Sequence, residues 1–465
     1  MSRSFTISER IKPLLYGQDS LRSERPWKAA LLSSVALSTL FIVVYGGSNA
    51  LAAQRELQTC FFQWEKQIPF VPLLIIPYLS IDLFFVASFM LCIDEAELRT
   101  HSRRIALAIL IAGVAFIIFP LSIGYARPDA HGWTSSLFNV LWTFDKPHNL
   151  VPSLHIALAL LLWPVYASHT HGRLRWLIHS WFAMIVVSPL LTWQHHVIDI
   201  VTGAMLSQFC IFFVPEKFNF VAAAFPTRST LGGRNGSAEP ASAFFSTKSR
   251  HQTLFISTPN IRVASRCAAG SGALILMGLV MGSWAWLLLW PASSLAIMSI
   301  AYVRGDGSVF RKSGGRVPMS TRMVLGPYLI GMFVRRLIYK SRVERWREIV
   351  PGVYCGRLAT GSEAEALIDM RVTAVLDMTA EHSETRALRT AACSRSPIPR
   401  DESVEYLNIP VLDLTEPSGE QLDVAAAFIA GQLSKGIVYV HCALGVSRSV
   451  SAATAYTTLS GNKSS

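Results

Sequence analysis

Residues 437–449 read IVYVHCALGVSRS and decide the fold of the C-terminal part of this chain. The apolar run at 437–440 predicts a buried strand, followed by a tight loop and the start of a helix. A cysteine beside a loop of backbone N–H groups at a helix N-terminus has a lowered thiol pKa. Such N–H groups also bind phosphate oxygens, and a planar guanidinium can clamp two of them. We therefore expect Cys442 and Arg448 to form a phosphate-binding site, with Gly445 letting the backbone approach the anion.

The residues before this motif alternate between strand-like and helix-like runs. The strand-like runs are EIVPGVYCGRL, TAVLDMT, VEYLNIPVL and GIVYVHC, and the helical ones are SEAEALIDM and EQLDVAAAFIAGQL. Such alternation is typical of a small α/β domain with a central sheet. We therefore predict this domain over residues 349–465.

The segment HCALGVSRS resembles the signature His-Cys-x5-Arg-Ser/Thr of the cysteine-dependent dual-specificity protein phosphatases. The resemblance implies that Cys442 is the nucleophile of a phosphocysteine mechanism and that Arg448 binds the phosphate. It also implies that Ser449 eases departure of the thiolate and that His441 tunes Cys442. Asp413, in IPVLDLTEP, stands where the family has its general acid. No cofactor or metal is implied.

Two features of this segment bear on its substrate and its completeness. The loop ALGVS contains no Lys or Arg, which favours a singly phosphorylated protein or small molecule over a polyphosphorylated inositol lipid. Seventeen residues follow Arg448, whereas the family continues through further helices, so we expect a C-terminally shortened domain. Two structural alternatives stay open: Cys442 as a buried thiol and Asp413 as a solvated loop carboxylate.

The rest of the chain has the composition of a membrane protein. Hydrophobic residues make up 51% and charged residues 15%, and the mean hydropathy is +0.38, whereas a soluble domain carries about 25% charged residues. A membrane span needs about 20 apolar residues. Six runs qualify, at 29–50, 69–93, 105–124, 153–169, 175–193 and 196–215. We predict a cytoplasmic segment at 1–28 and a six-span bundle over 29–216.

A second apolar region follows a polar one. Residues 217–266 are rich in Ser, Ala, Gly and Arg and predict a flexible linker. Residues 267–303 contain no charged residue over 37 positions; as one helix they would extend about 55 Å, too long for a single crossing. We therefore predict a two-span hairpin that turns near Trp290 and Pro291. Residues 304–348 then predict a basic juxtamembrane segment with an interfacial helix at 323–334.

The positive charges indicate the topology. The formal net charge is +12, and Lys and Arg concentrate in the segments that face the cytoplasm if the N-terminus does. The stretch from Arg304 to Arg347 contains eleven Lys and Arg and two acids. Positive flanks of membrane helices account for this charge better than a nucleic-acid partner does. We expect a multi-pass protein of a bacterial inner membrane, with its N-terminus and C-terminal domain in the cytoplasm.

A second set of ionisable residues lies at the predicted extracytoplasmic surface of the membrane. DKPHNLVPSLHIALAL places Ser153 at a helix start and His155 in its first turn, and QHHVIDIVTG places His195 and Asp199 at i and i+4 on one helix face. Ionisable residues at span ends that face a common space predict a functional site. Attack by one imidazole, oriented by the carboxylate, with protonation by the other imidazole, suits phosphoryl transfer.

These two segments resemble the motifs PSxH and SRx5HxxxD of the lipid phosphatases usually named type 2 phosphatidic acid phosphatases. The resemblance implies that His195 is the nucleophile, Asp199 its partner and His155 the acid. Ser153, and Arg127 in GYARPD, are then expected to bind substrate.

Two cation positions of that family differ here, because Pro120 stands at the Lys position and Pro189 replaces an Arg. The pattern is therefore more similar to the branch that includes the inositol phosphorylceramide synthases. A phosphodiester headgroup, or transfer to an alcohol, becomes an alternative to hydrolysis of a lipid phosphate.

Taken together, the motifs predict a membrane fusion of two phosphoric ester hydrolases, one outside acting on membrane lipids and one inside. One alternative is a headgroup transferase joined to an inactive, ligand-binding phosphatase-like domain that acts as a sensor or scaffold. A transporter is a third reading, disfavoured because repeat halves are missing. The oligomeric state stays open.

Overall fold

The computed structural model describes residues 25–55, 57–124, 126, 128–144, 148–216, 256–281, 283–392 and 404–461. The chain divides into two compact units, Met1–Phe218 and Asn219–Ser465. Most of the predicted linker, and the substrate-binding candidate Arg127, lie outside the described residues. Residues 261–266 of that linker are helical, because the first helix that the structure describes in the second unit begins at Ile261.

The described part of the first unit is helical. Its helices are α1 (Trp27–Ala52), α2 (Ile75–Leu91), α3 (Glu95–Ile118), α4 (Thr134–Phe144), α5 (Leu154–Ser168), α6 (Gly172–Leu191) and α7 (Val197–Phe213). Short 3-10 helices at Gln63–Gln67 and Pro72–Leu74, and the paired two-residue strands β1 (Gln58–Thr59) and β2 (Leu121–Ser122), complete it. All of these helices except α4 correspond to predicted apolar runs. Helix α4 lies between the predicted runs at 105–124 and 153–169, where no helix was predicted.

These helices carry apolar residues on their buried faces and on their exposed faces. Phe89 and Ile109 are fully buried, whereas Leu32 and Leu83 are 70% and 71% exposed. A helix that is apolar on all sides is typical of a membrane span. Within the described ranges, the segments long and apolar enough to cross a membrane are Trp27–Ala52, Pro72–Leu91, Glu95–Ile118, Gly172–Leu191 and, in the second unit, Ile261–Met281. Helices α5 and α7 are shorter, so the number of spans stays a prediction; the helical N-terminal region itself is confirmed.

An apolar helical hairpin lies near the start of the described part of the second unit. Helix α8 (Ile261–Met281) is followed by a 3-10 helix at Ser283–Leu288 and by α9 (Leu289–Arg304). The predicted turn at Trp290 and Pro291 is therefore wrong, since both residues lie in the first turn of α9. Proline is tolerated there because the first turn of a helix needs no N–H donor from it. The Ser271 hydroxyl donates to the Ala292 carbonyl at 2.8 Å and joins the two helices.

The predicted basic juxtamembrane segment follows the hairpin and packs into the α/β domain. It contains a 3-10 helix at Gly307–Phe310 and the helices α10 (Met319–Val324) and α11 (Gly326–Lys340), so the predicted interfacial helix at 323–334 is broken at Leu325 and extends to Lys340. The Lys312 side chain is buried and pairs with Asp377. The first strand of the sheet begins at Trp346, three residues before the predicted boundary at 349.

A mixed sheet confirms the predicted α/β domain. In the described residues its strand order is β3-β4-β7-β5-β6, and β3 alone runs antiparallel to its neighbour. The strands are β3 (Trp346–Val350), β4 (Val353–Arg357), β5 (Val372–Asp377), β6 (Glu405–Asn408) and β7 (Ile437–Cys442). The helices are α12 (Gly361–Asp369), α13 (Arg386–Ala392), α14 (Gly419–Leu433) and α15 (Arg448–Gly461). The central strand β7 is buried on both faces, as its continuous apolar run predicts.

Candidate active sites

Cys442 is the last residue of β7, at the carboxyl end of the central strand. Parallel neighbours β4 and β5 end at the same edge, which is where open α/β sheets bind ligands. The Gly445 N–H donates to the Cys442 sulfur at 3.2 Å, and the Ser449 hydroxyl donates to it at 3.3 Å. The loop between β7 and α15 therefore curls around the thiol, as its sequence predicts.

The surroundings of Cys442 favour the thiolate. Burial alone would raise the pKa of this thiol, but the Arg448 charge and the donors from Ser449 and Gly445 outweigh burial and lower the pKa below its ordinary value. Cys355, on the neighbouring strand β4, shows the opposite balance, because burial raises its thiol pKa. Of the two buried thiols that the structure describes in this domain, Cys442 is the one with a nucleophile's environment.

Gly445 is required by the path of the loop. Its φ is +73°, in the left-handed region, and a Cβ at this position would lie 2.6 Å from the Gly356 carbonyl carbon. The loop therefore packs directly against the end of β4, and only glycine fits both the conformation and the space.

Arg448 is held by a carboxylate that sequence reasoning missed. Its two terminal nitrogens donate to the two oxygens of Glu381 at 3.0 and 2.8 Å, and one also donates to the Val411 carbonyl. Burial would raise the pKa of Glu381, but the charges of Arg448 and His382 and the hydrogen bonds to this carboxylate together outweigh burial and lower the pKa to about 2. The one feature that could have pointed to Glu381 is its position just after β5, the strand that lies next to β7.

His441 lies beneath the loop in a network of buried charges. Its Nε2 is 2.7 Å from a Glu384 oxygen, and although burial lowers the pKa of His441, the charges of Glu384 and Asp377 raise it above its ordinary value. Atoms of Asp377, Glu384 and His441 lie within 4.8 Å of one another, a spacing that could suit a metal ion. The Lys312 ammonium already pairs with Asp377 and donates to the Thr379 carbonyl at 3.1 Å. This cation neutralises the cluster, so the residues do not fit a metal site.

Asp413 lies beside Arg448, as a general acid for this site would have to. One of its oxygens accepts from Arg448 at 3.1 Å, and the other pairs with Arg335 of helix α11. Sequence reasoning did not foresee Arg335, because it precedes Asp413 by 78 residues. A general acid at this position would have to exchange one of these guanidinium partners before it could carry a proton to a leaving group.

In the first unit, His195 and Asp199 are brought together as predicted, but not on one helix face. Helix α7 begins at Val197 with His196 as its N-cap, so His195 lies in the preceding turn. Its Nδ1 is 3.2 Å from an Asp199 oxygen that also accepts from the His196 N–H at 2.8 Å. The pair therefore results from capping of α7 rather than from i, i+4 spacing within it.

His155 lies near this pair because α5 and α7 approach closely. Ser153 caps α5, and its N–H donates to the Asp199 carbonyl at 3.1 Å. A Cβ on Gly203 of α7 would lie 2.4 Å from the Ser153 carbonyl oxygen, so glycine permits this contact. His155 stacks on Tyr78, with ring centroids 4.4 Å apart, and interacts electrostatically with His195. The structure thus groups four of the five residues predicted for this site, and Arg127 lies outside the described ranges.

A buried carboxylate beside this cluster was also missed. Glu65 is fully buried, and one of its oxygens lies 2.9 Å from Nδ1 of His196. Nε2 of the same ring accepts from the Gly124 N–H at 3.2 Å. His196 therefore joins three segments of the chain.

Comparisons with known proteins concern the C-terminal domain. A family model described as "Dual specificity phosphatase, catalytic domain" matches residues 353–464. Dual specificity protein phosphatase 26 of Bos taurus is 32% identical over 158 residues, which cover 32% of this chain and 71% of that protein. Dual specificity protein phosphatase 12 of Homo sapiens is 35% identical over 111 residues, 23% of this chain and 30% of that protein. The matched region contains Cys442, Arg448 and Asp413.

Proposed function

Because the chain belongs, through its C-terminal domain, to the dual-specificity phosphatase family, we propose that Cys442 is the nucleophile of its phosphoric ester hydrolase activity. Cysteine-based phosphatase activity follows from the family. The observation that supports the assignment is the position of the Cys442 sulfur at the end of the central strand, where the Gly445 N–H and the Ser449 hydroxyl donate to it; with the Arg448 charge, these donors lower the pKa of the thiol. The thiolate attacks phosphorus, an S–P bond forms and the ester P–O bond breaks. Water then hydrolyses the phosphocysteine and releases phosphate.

The neighbouring residues take the remaining roles in this proposal. Arg448 binds two phosphate oxygens, Asp413 protonates the leaving oxygen, and Ser449 stabilises the thiolate as it departs. His441, held by Glu384, orients the start of the loop. The loop ALGVS carries no Lys or Arg, which supports a singly phosphorylated protein or small molecule as substrate.

Substitution of the thiol tests this site. In the purified full chain, Cys442→Ser should abolish hydrolysis of a soluble aryl phosphate, because serine is not ionised at neutral pH. Cys355→Ala is the matched control, since this thiol lies on β4 and burial raises its pKa; it should keep the activity. Equal losses in both variants would refute the assignment of Cys442.

We also propose a second site, formed by His195, Asp199 and His155 and acting on a lipid phosphate or phosphodiester headgroup. The contact between His195 and Asp199 and the close approach of α5 and α7 support it. Ser153 positions the start of α5, and Arg127 is proposed to bind substrate. The fusion of a lipid-phosphatase-like bundle, closer to the inositol phosphorylceramide synthase branch, with a phosphatase domain belongs to the same proposal.

If the chain has two separate sites, each activity can be abolished without loss of the other. His195→Ala should abolish headgroup release from a radiolabelled phospholipid in reconstituted membranes and leave aryl phosphate hydrolysis unchanged; Cys442→Ser should do the reverse. His171→Ala, an exposed histidine at the start of α6, is the matched control. Transfer of the label to an added alcohol instead of water would favour the transferase alternative. Loss of both activities in one variant would contradict the two-site proposal.

The domain organisation is proposed with two boundaries changed. A cytoplasmic segment at 1–28 precedes the lipid-phosphatase-like bundle at 29–216, which we propose crosses the membrane six times. A linker then leads to the hairpin, which we place at 261–304 rather than 267–303, and to a phosphatase domain that includes Lys312. We propose a bacterial inner membrane, with both ends of the chain in the cytoplasm, where a thiolate persists.

A further inference from the structure

Helix α11 exposes an apolar face to its surroundings. The face is formed by residues spaced at i, i+3, i+4, i+7 and i+8, the pattern that a surface helix normally buries. Each of them is between 46% and 60% exposed: Ile330, Phe333, Val334, Leu337 and Ile338. A contiguous exposed apolar surface of this kind indicates a binding partner.

Charge and neighbouring elements favour an anionic lipid surface as that partner. The helix and the residues after it carry Arg335, Arg336, Lys340 and Arg342, and no acidic residue occurs between Asp306 and Glu344. Apolar residues alternating with cations on one helix suit the interface of an anionic bilayer. Helix α11 also packs beside the apolar hairpin. The Tyr328 hydroxyl lies 2.7 Å from that of Tyr302 at the end of α9, so the helix is close to a segment already suited to lipid.

The same helix contacts the catalytic domain at two places. Arg335 pairs with Asp413, and Arg336 donates to the Leu358 carbonyl at 2.9 Å. The Leu358 N–H in turn donates to the Cys442 carbonyl at 2.7 Å. A change at the surface of α11 would therefore act directly on the proposed general acid.

The loop that carries Asp413 is also attached to the base of the hairpin. Asn260 donates to the Leu414 carbonyl at 2.6 Å, and Thr258 and Glu416 exchange backbone and side-chain hydrogen bonds at 2.9 to 3.0 Å. These contacts lie immediately before α8. The loop is thus held between two membrane-proximal segments, which limits how Asp413 can change partners.

We propose that the apolar face of α11 docks on an anionic lipid surface and that lipid headgroups there compete with Asp413 for Arg335. Release of Arg335 frees one Asp413 oxygen to carry a proton to the leaving group. Arg335 is then a positioning residue that makes the phosphatase responsive to anionic lipid. This proposal rests on the proposed role of Cys442 and Asp413.

An activity assay with two leaving groups tests the coupling. The full chain is reconstituted in nanodiscs of phosphatidylcholine, alone or mixed with phosphatidylserine. With phenyl phosphate, whose leaving group needs a proton, phosphatidylserine should raise kcat by roughly tenfold. With p-nitrophenyl phosphate, whose leaving group does not, the effect should be small. Arg335→Gln should show the high rate in both lipids.

Lys435→Gln is the control for removal of a cation. Lys435 is exposed, lies just beyond the end of α14 and does not belong to α11. It should respond to phosphatidylserine as the unchanged chain does. Equal rates of the unchanged chain in both lipids, or a full lipid response in Arg335→Gln, would overturn the proposal.

Photocrosslinking tests the docking without relying on activity. A photoreactive phenylalanine analogue at position 333 of the full chain should form adducts with phospholipid, and the same analogue at position 435 should not. Adducts with the first unit or with another protein in place of lipid would overturn the docking. Lipid adducts in a protein without aryl phosphate hydrolysis would support the docking and overturn the proposed role of Cys442 instead.

Discussion

At Cys442, burial acts to raise the pKa of the thiol, but the Arg448 charge and the hydrogen bonds from Ser449 and Gly445 together outweigh burial and lower it. Ser449 contributes through its hydroxyl, 3.3 Å from the sulfur. A lowered pKa means that the thiolate is already present below the ordinary pKa of a cysteine. Removing a donor that lowers the pKa must raise it, and the thiolate then forms at higher pH.

Ser449→Ala should therefore slow alkylation of Cys442 at neutral pH and shift the pH profile of alkylation to higher values. Iodoacetamide labelling, followed by mass spectrometry of the peptide that contains Cys442, measures both. Ser447→Ala, on the same loop, is the control and should leave the profile in place. An unchanged profile in Ser449→Ala would show that this hydroxyl does not stabilise the thiolate.

The Glu381–Arg448 pair makes a separate prediction for stability. The pKa of Glu381 falls from 4.5 to about 2 in the folded protein, so its contribution is present above about pH 4.5 and is lost as the pH falls toward 2. Glu381→Gln should destabilise the domain by about 3 kcal/mol at neutral pH, because the buried Arg448 guanidinium loses the carboxylate that accepts from both of its terminal nitrogens.

Thermal unfolding of the full chain, followed by tryptophan fluorescence at several pH values, measures this contribution. The difference between the unchanged chain and Glu381→Gln should shrink on acidification. Glu365→Gln, an exposed carboxylate on α12, should show no difference at any pH. A constant difference across the range would mean that the charge of Glu381 is not what stabilises the pair.

At the scale of elements, the segment between the hairpin and the sheet is part of the domain core. Lys312 reaches Asp377 at the end of β5, where both side chains are buried. A buried ion pair that loses one partner costs about 3–5 kcal/mol, whereas replacement of both charges is far less costly. The loss of stability when one partner of this pair is changed therefore shows whether the segment belongs to the domain core or only connects the hairpin to the sheet.

Lys312→Met should lower the thermal unfolding midpoint of the second unit, because the Asp377 carboxylate stays buried without its cation. The double variant Lys312→Met/Asp377→Asn should recover most of the loss, since asparagine keeps hydrogen bonds to Tyr406 and Thr379 without a charge. Additive losses in the double variant would show that the two residues do not interact in this way.

The elements also show what a single sequence could predict. The strand and loop around Cys442 could be predicted because their chemistry is contiguous in the chain. Glu381, Lys312 and Arg335 could not, because each contributes through a contact more than 60 residues away. The hairpin turn was misplaced because Pro291 suggests a break, although proline also suits the first turn of a helix.

At the scale of the whole molecule, each unit has its own buried core and its own apolar helices. The second unit should therefore remain attached to a membrane without the first, because α8 is long and apolar enough to cross one. A soluble catalytic domain connected only through the first unit would behave differently. The two arrangements can be separated by cutting the chain in the predicted linker, before α8.

A site-specific protease sequence inserted between residues 230 and 240 makes this cut possible after assembly in the membrane. After cleavage and an alkaline carbonate wash, the fragment that contains Cys442 should stay in the membrane pellet and keep its aryl phosphate hydrolysis. Lipid-headgroup release should stay with the fragment that contains His195. Recovery of the Cys442 fragment in the wash would show that the hairpin does not hold the second unit in the bilayer. In that case, only the first unit would attach the second unit to the membrane, and α11 would dock on lipid without an anchor of its own.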